Sequence, residues 1–179
     1  MGGLVAGLIG GSVVSLFMLL AGAIKGADVW MPMKAAAAPF LHERALAPGF
    51  DSLAIFAGLL AHLSVSVVWG LLFGALFYGA SKAATLLAGP PWGVAVWIGM
   101  LYFVLPFIGL RWLAYQPRLP LAIVYHVMFG VAVAVGFLPY QRLRPQRLAP
   151  PADHPPLQYR YVARSLPRPS TTGYSATGY

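Results

Sequence analysis

The sequence predicts an all-α fold: an integral membrane four-helix bundle with a short helix in an interfacial loop and a disordered basic C-terminal tail. Apolar residues make up 59% of the 179 residues and charged residues only 9%, against roughly a quarter charged in an ordinary soluble domain. Four apolar runs have, or nearly have, the ~20 residues needed to cross a hydrocarbon core about 30 Å thick. Within three of these runs, small residues recur at every fourth position, the spacing that lets helices in lipid approach closely.

The spans are expected over about 4–24, 53–78, 92–110 and 119–138, in a membrane domain 1–140 followed by a tail 141–179. The first run ends in Ala21, Gly22 and Ala23, which loosely match a signal-peptide cleavage site, but no Lys or Arg precedes it and the run is long. It therefore reads as a retained helix. Between the first two spans, Trp30, Met31 and Met33 suit an interfacial anchor, Pro32 and Pro39 interrupt, and the alanines between them suit one short helix lying at the interface. Gly89, Pro90 and Pro91 are expected to break the chain before the third span, Pro106 to kink it, and Pro117 and Pro120 to bracket the start of the fourth.

Basic residues near span ends set orientation. Arg142, Arg144 and Arg147 follow the last span with no acid before Asp153, and Lys82 marks the connection between spans two and three. On the other side Lys25, Lys34 and Arg44 are diluted by Asp28, Glu43 and Asp51, while Arg111 and Arg118 count against the assignment. The balance predicts both termini on the cytoplasmic side. The formal charge of +8 is met by these membrane-flanking positions and the tail, so no nucleic-acid partner is inferred.

The small-residue ladders are Gly3, Gly7, Gly11 and Ser15 on the first span, Gly58, His62, Ser66, Gly70 and Gly74 on the second, and Ala122, His126, Gly130 and Ala134 on the fourth. Residues four apart share a helix face. The ladders predict tight packing within the bundle, or against another subunit. His62 and His126 lie within ladders, so their rings are expected to be buried toward the bundle or a partner. Eleven and eight residues past Asp51 and Arg118, they fall at similar depth, about 16 and 12 Å along their helices. That match suggests a parallel repeat of helix pairs.

Two roles remain open for the histidines. Each ring hydrogen-bonds a hydroxyl or carbonyl on a neighbouring helix, with Ser64, Ser66, Tyr102 and Tyr125 as candidate partners, or the pair supplies the axial ligands of a b-type haem. Two histidines fall short of an ordinary zinc or copper ligand set. With no cysteine and with Asp28, Glu43, Asp51 and Asp153 all outside the spans, thiol chemistry, paired-acid catalysis and an intramembrane carboxylate relay lack residues. "HERAL" at 42–46 lacks the second histidine of a metalloprotease helix. No enzyme activity is expected.

The segments "WMPMK", "ALAPGFD", "GLLAHLSVSVVWGLLFG", "GVAVW" and "YHVMFGVAVAVG" resemble a family of small four-span bacterial membrane proteins of unknown function, some carrying an automatic "sodium:proline symporter" label although too short for a symporter core. The likeness covers about residues 4–138. It implies the four-span fold and draws weight to His62 and His126, without implying a catalytic residue. Where that family often has an asparagine soon after the third-span tryptophan, Ile98, Gly99 and Met100 follow Trp97 here.

The tail, rich in Pro, Arg and Tyr, cannot bury a core and is expected to be disordered alone. Arg160, Arg164, Tyr159 and Tyr161 are candidate anchors for a partner or for anionic headgroups. The functional expectation is a non-catalytic accessory or structural subunit packing against larger membrane partners or itself. A haem-binding electron-transfer subunit is the alternative, and a small transporter or channel the third.

Overall fold

A computed structural model of the chain describes residues 1–110 and 119–141. The order is α1 (Gly2–Ile24), three short helices α2 (Met31–Ala35), α3 (Ala38–Leu41) and α4 (Glu43–Leu46), then α5 (Ser52–Leu76) and α6 (Lys82–Gly99). A π-helical turn (Met100–Val104), α7 (Leu105–Phe107), α8 (Leu119–Phe137) and a 3-10 turn (Leu138–Tyr140) complete it. There is no strand among the described residues, and four helical segments are long and apolar enough to cross a membrane. The chain is a multi-pass membrane protein.

Local chemistry sets the helix ends. Asp51 caps α5 by accepting a hydrogen bond from the Ala54 N–H at 3.1 Å, and Ser81 caps α6 through Ala84 at 3.1 Å. After α1 the chain turns at Gly26, whose φ of 62° is a left-handed conformation open to glycine.

The third span differs from the expectation. Its helix begins at Lys82 and runs through Gly89, Pro90 and Pro91 without a break. Prolines cost a helix two backbone hydrogen bonds, yet in a packed membrane helix the neighbouring segments make that tolerable. Here the neighbour is α8: a Cβ on Gly89 would sit 3.0 Å from the Gly130 carbonyl and the Ala134 Cβ. Farther along, Pro106 lacks the N–H for Tyr102 and its ring would press on that carbonyl. The residues before it widen into the π turn, with the Leu105 N–H bonding the Met100 carbonyl.

Backbone contact at glycines sets the helix order. On α1, a Cβ at Gly3 would lie 2.6 Å from the Gly70 carbonyl, and one at Gly7 2.5 Å from the Ser66 carbonyl. Gly74 closes the same seam, with an added Cβ 3.0 Å from Gly3 Cα. A second seam joins α6 and α8, where a Cβ on Gly93 would be 2.7 Å from Val127 Cα and one on Gly130 2.5 Å from the Gly93 nitrogen. A third face of α1 meets α8: Gly10 lies under Val133 and Phe129, and Gly136 under Ile9 and Ala6. The row is thus α5, α1, α8, α6. Side chains of Ala6, Val14, Phe73, Val96, Phe129, Val133, Ala134 and Phe137 fill the middle.

Two ladder positions have other partners. Gly58 seats α2 rather than α1, its missing Cβ leaving room for the Met33 carbonyl. Ser15 is buried on α1, but its Oγ has no hydrogen-bond partner among the described residues. At the opposite end of the bundle, Gly2 meets Tyr140, and Gln141 donates to the Ala80 carbonyl and the Thr85 hydroxyl. The start of α1, the turn before α6 and the end of α8 therefore share one side. Arg111, Pro117, Arg118 and the tail with Tyr159, Arg160, Tyr161 and Arg164 lie outside the described residues.

Because the atoms facing these glycines are backbone, a methyl group cannot be accommodated by a rotamer change. Gly70→Ala and Gly93→Ala should each destabilise the bundle by about 1–3 kcal/mol, the range for overpacked cores. Gly136→Ala meets the flexible tip of Ile9 first, at 3.1 Å, and should cost less. Reversible unfolding of the detergent-solubilised variants, followed by circular dichroism, measures the difference.

Candidate functional site

Only three sides of the bundle are closed by helix-to-helix packing. Between α5 and α6, aromatic side chains stand in for backbone contact: Trp69 meets Trp92 at 6.0 Å between ring centroids, and Phe73 meets Trp92 at 5.6 Å, both edge-on. A cluster of Ala37, Ala38, Ala45 and Leu110, with Ala57 and Leu105 packed against it, bounds the other end. Between these limits the bundle holds an open cleft of about 1390 Å³. Its walls come from all four spans, and the layer α2–α4 contributes Met31, Pro32, Pro39 and Phe40 as a roof.

The roof differs from the single interfacial helix expected. Pro32 and Pro39 sit at the first positions of α2 and α3, where the missing N–H is an orphan in any helix. They start helices instead of interrupting one, and the alanines are divided between two short segments. Trp30 packs edge-on against Phe50 at 5.4 Å.

A buried lysine ties this layer down. Lys34 has no exposed surface, and its ammonium donates to the carbonyls of Ala47 and Gly49, each at 2.5 Å, and to Asp28 at 3.2 Å. Asp28 in turn accepts from the backbone N–H groups of Gly49 at 2.9 Å and Trp30 at 3.0 Å. Partial desolvation pushes the Asp28 carboxyl up, but those N–H groups and the Lys34 ammonium outweigh it and hold the group below its ordinary range. Nearby, Arg44 grips Asp51 with two nitrogens, at 2.7 and 3.2 Å. That guanidinium, helped by the Ala54 N–H, lowers the Asp51 carboxyl to about 2.

His62 and His126 line the same cleft, with Trp69, Trp97 and Tyr125 among its walls. Both are half-buried rather than enclosed, because the α5–α6 side does not close. The His62 ring bonds the Gly11 carbonyl of α1 through Nε2 at 3.3 Å; His126 bonds the carbonyl of Ala122, one turn back on its own helix, through Nδ1 at 2.7 Å. The candidate hydroxyls of Ser64, Ser66, Tyr102 and Tyr125 take no part in these bonds. Counted from the glycine seams, His126 corresponds to Ser66: Gly7 faces the Ser66 backbone as Gly93 faces that of His126.

These bonds settle the tautomers of the neutral rings. A carbonyl can only accept, so His62 carries its proton on Nε2 and His126 on Nδ1. The lone pairs are left on His62 Nδ1 and His126 Nε2. A haem held by Nε2 of both rings would require the Gly11 bond to be broken. Among the described residues no group of three or more His, Asp or Glu side chains is placed to hold a metal ion.

Nothing in the sequence pattern marks Lys34 as a buried anchor, and Gly89 and Gly93 are missed from the sequence as the partner of the fourth-span ladder. The glycine pair was hidden by the adjacent prolines. A Gly-x-x-x-Gly spacing across 89–93 was the available signal.

The carboxylate pairs make the roof sensitive to acid. Both folded-state carboxyls lie below the unfolded value of 3.8, so their contribution is complete above that pH and is lost as pH falls toward about 2. The side chain of Arg44 is 56% exposed, so salt should weaken its share. Amide protection factors across 28–54, each referred to the intrinsic exchange rate at that pH, should hold from neutrality to about pH 4 and fall below it, without a matching loss of protection in α1 or α8. Comparison of the chain with protein-family models, curated proteins and solved structures finds no match.

Proposed function

We propose that this chain is a non-catalytic accessory protein of a bacterial inner membrane that holds a membrane-dissolved apolar molecule in the cleft between α5 and α6, beside larger membrane partners. The observation that carries this reading is the cleft itself: about 1390 Å³, walled by all four spans and roofed by α2–α4. Most of its lining is aliphatic or aromatic, with a few polar groups among it, the general form of a small-molecule site. A bundle meant only for packing gains nothing from leaving one side open. The resemblance to small four-span bacterial proteins supports the choice of membrane. No carboxylate or thiol lies in the described spans.

The charge pattern supports an orientation with both termini inside. Lys34 and Arg44 on the roof side are each paired with an acid, which reduces the free positive charge there, while Lys82 stands at the start of α6 on the other side.

Two experiments test the proposal. A reporter active only in the periplasm should be silent when fused after Gln141 and active when inserted between Lys25 and Asp51; the reverse pattern refutes the orientation. With 1-bromododecane as an apolar probe, tryptophan fluorescence of the solubilised protein should be quenched saturably, since Trp69 and Trp97 line the cleft. Ala61→Phe, which fills the cleft, should weaken that quenching at least about tenfold, the equivalent of 1.4 kcal/mol. Quenching that rises without saturation, equally in both proteins, argues against a ligand site.

A further inference from the structure

We propose that the cleft selects a lipid-soluble molecule with a hydroquinone-type head, which donates its hydroxyls to the free nitrogens of His62 and His126. The proposal rests on the ligand-holding reading above and adds the chemistry of the ligand.

The two imidazoles are the recognition elements. Both line the cleft, one from α5 and one from α8. Each has one nitrogen committed to a backbone carbonyl, Gly11 for His62 and Ala122 for His126. Because those carbonyls must receive the ring protons, the remaining nitrogens are acceptors as long as the rings are neutral. Two acceptors on different walls of a largely apolar cavity have no further hydrogen-bond partner among the described residues: the structure gives each imidazole a single hydrogen bond there. Unpaired polar atoms in such surroundings are costly, and a ligand that donates to both removes the cost.

The head must therefore carry two donors pointing apart, while an acceptor-only head leaves both nitrogens unmet. A plain alcohol offers one donor. A carboxylate or phosphate offers acceptors where donors are needed. A flat aromatic ring suits walls that include Trp69, Trp97 and Tyr125. Val65, Met100, Leu101 and Leu121 add apolar lining that accommodates a hydrocarbon tail. The oxidised, quinone form of the same molecule has the same shape and tail but only acceptor oxygens, so the site distinguishes the two oxidation states through hydrogen-bond direction. No electron transfer is involved.

Isothermal titration of the intact protein in detergent, under anaerobic reducing conditions, with a decyl-substituted hydroquinone tests this against the matching decyl-quinone and 1-dodecanol. The hydroquinone should bind at least about tenfold more tightly than either, the factor expected from one or more hydrogen bonds to otherwise unmet acceptors. His126→Leu removes an acceptor and only a bond within its own helix, so the bundle should remain folded by circular dichroism while the preference shrinks toward unity. His126→Gln, which keeps a carbonyl acceptor, should restore part of it. Equal affinity for hydroquinone and quinone, or dodecanol binding as tightly as hydroquinone, overturns the proposal, and an unchanged preference in folded His126→Leu does the same. If bromododecane still quenches saturably in that case, the cleft holds apolar molecules without reading their heads; if neither probe binds, the ligand-holding reading fails as well.

Discussion

Close approach of helix backbones at glycine is the constraint on which this molecule depends. In lipid, burying one apolar helix against another gains little from the hydrophobic effect, and association relies on contact at van der Waals distance. At Gly3, Gly7, Gly70, Gly89, Gly93 and Gly130 the contacting atoms are backbone, and a single added carbon would lie 3.0 Å or less from them. Two such seams, α5 with α1 and α8 with α6, are joined by α1 with α8, where Gly10 and Gly136 lie mainly under side chains, and together they make a row of four helices. The fourth interface has no comparable seam. The tryptophans that meet there hold α5 and α6 apart, so the cleft is a direct consequence of where glycine is and is not placed.

The roof is held by a different force. Three short helices bury little surface and would not persist alone. A fully buried ammonium surrounded by two carbonyls and a carboxylate compensates, because removing any acceptor leaves a charge without a partner. The same arrangement bears on topology. Lys34 and Arg44 would count as positive residues on the roof side, yet both are neutralised by partners only 6 and 7 residues away. The Gly58 seat of α2 on α5 couples this layer to the bundle, so the roof and the walls of the cleft form a continuous structure.

The histidines show how a packing position becomes a chemical one. His62 secures α1 to α5 through the Gly11 carbonyl, which accounts for a ring at a place where the ladder calls for a small residue. His126 makes no interhelical bond and joins only its own preceding turn. Structural need explains one of the pair fully and the other poorly. What they share is the cleft and a second ring nitrogen with no hydrogen-bond partner among the described residues.

The class of the protein, the number of spans and the small-residue faces of α1 and α5 were legible in the sequence, since they follow from composition and period alone: about 20 apolar residues have one stable form in a bilayer. The ladder Gly3, Gly7, Gly11 meets Ser66, Gly70 and Gly74, as a four-residue spacing implies. Tertiary structure decided what periodicity cannot encode, namely which face meets which. It paired the fourth-span ladder with Gly89 and Gly93, and carried a helix through Pro90 and Pro91 because packing on α8 outweighs local propensity. It divided the alanines of the roof at Pro39, placed Lys34 inside, and left α5 and α6 apart. Residue spacing specifies a surface on one helix, whereas a cavity belongs to several helices at once, and only their assembled order brings His62 and His126 to the same one.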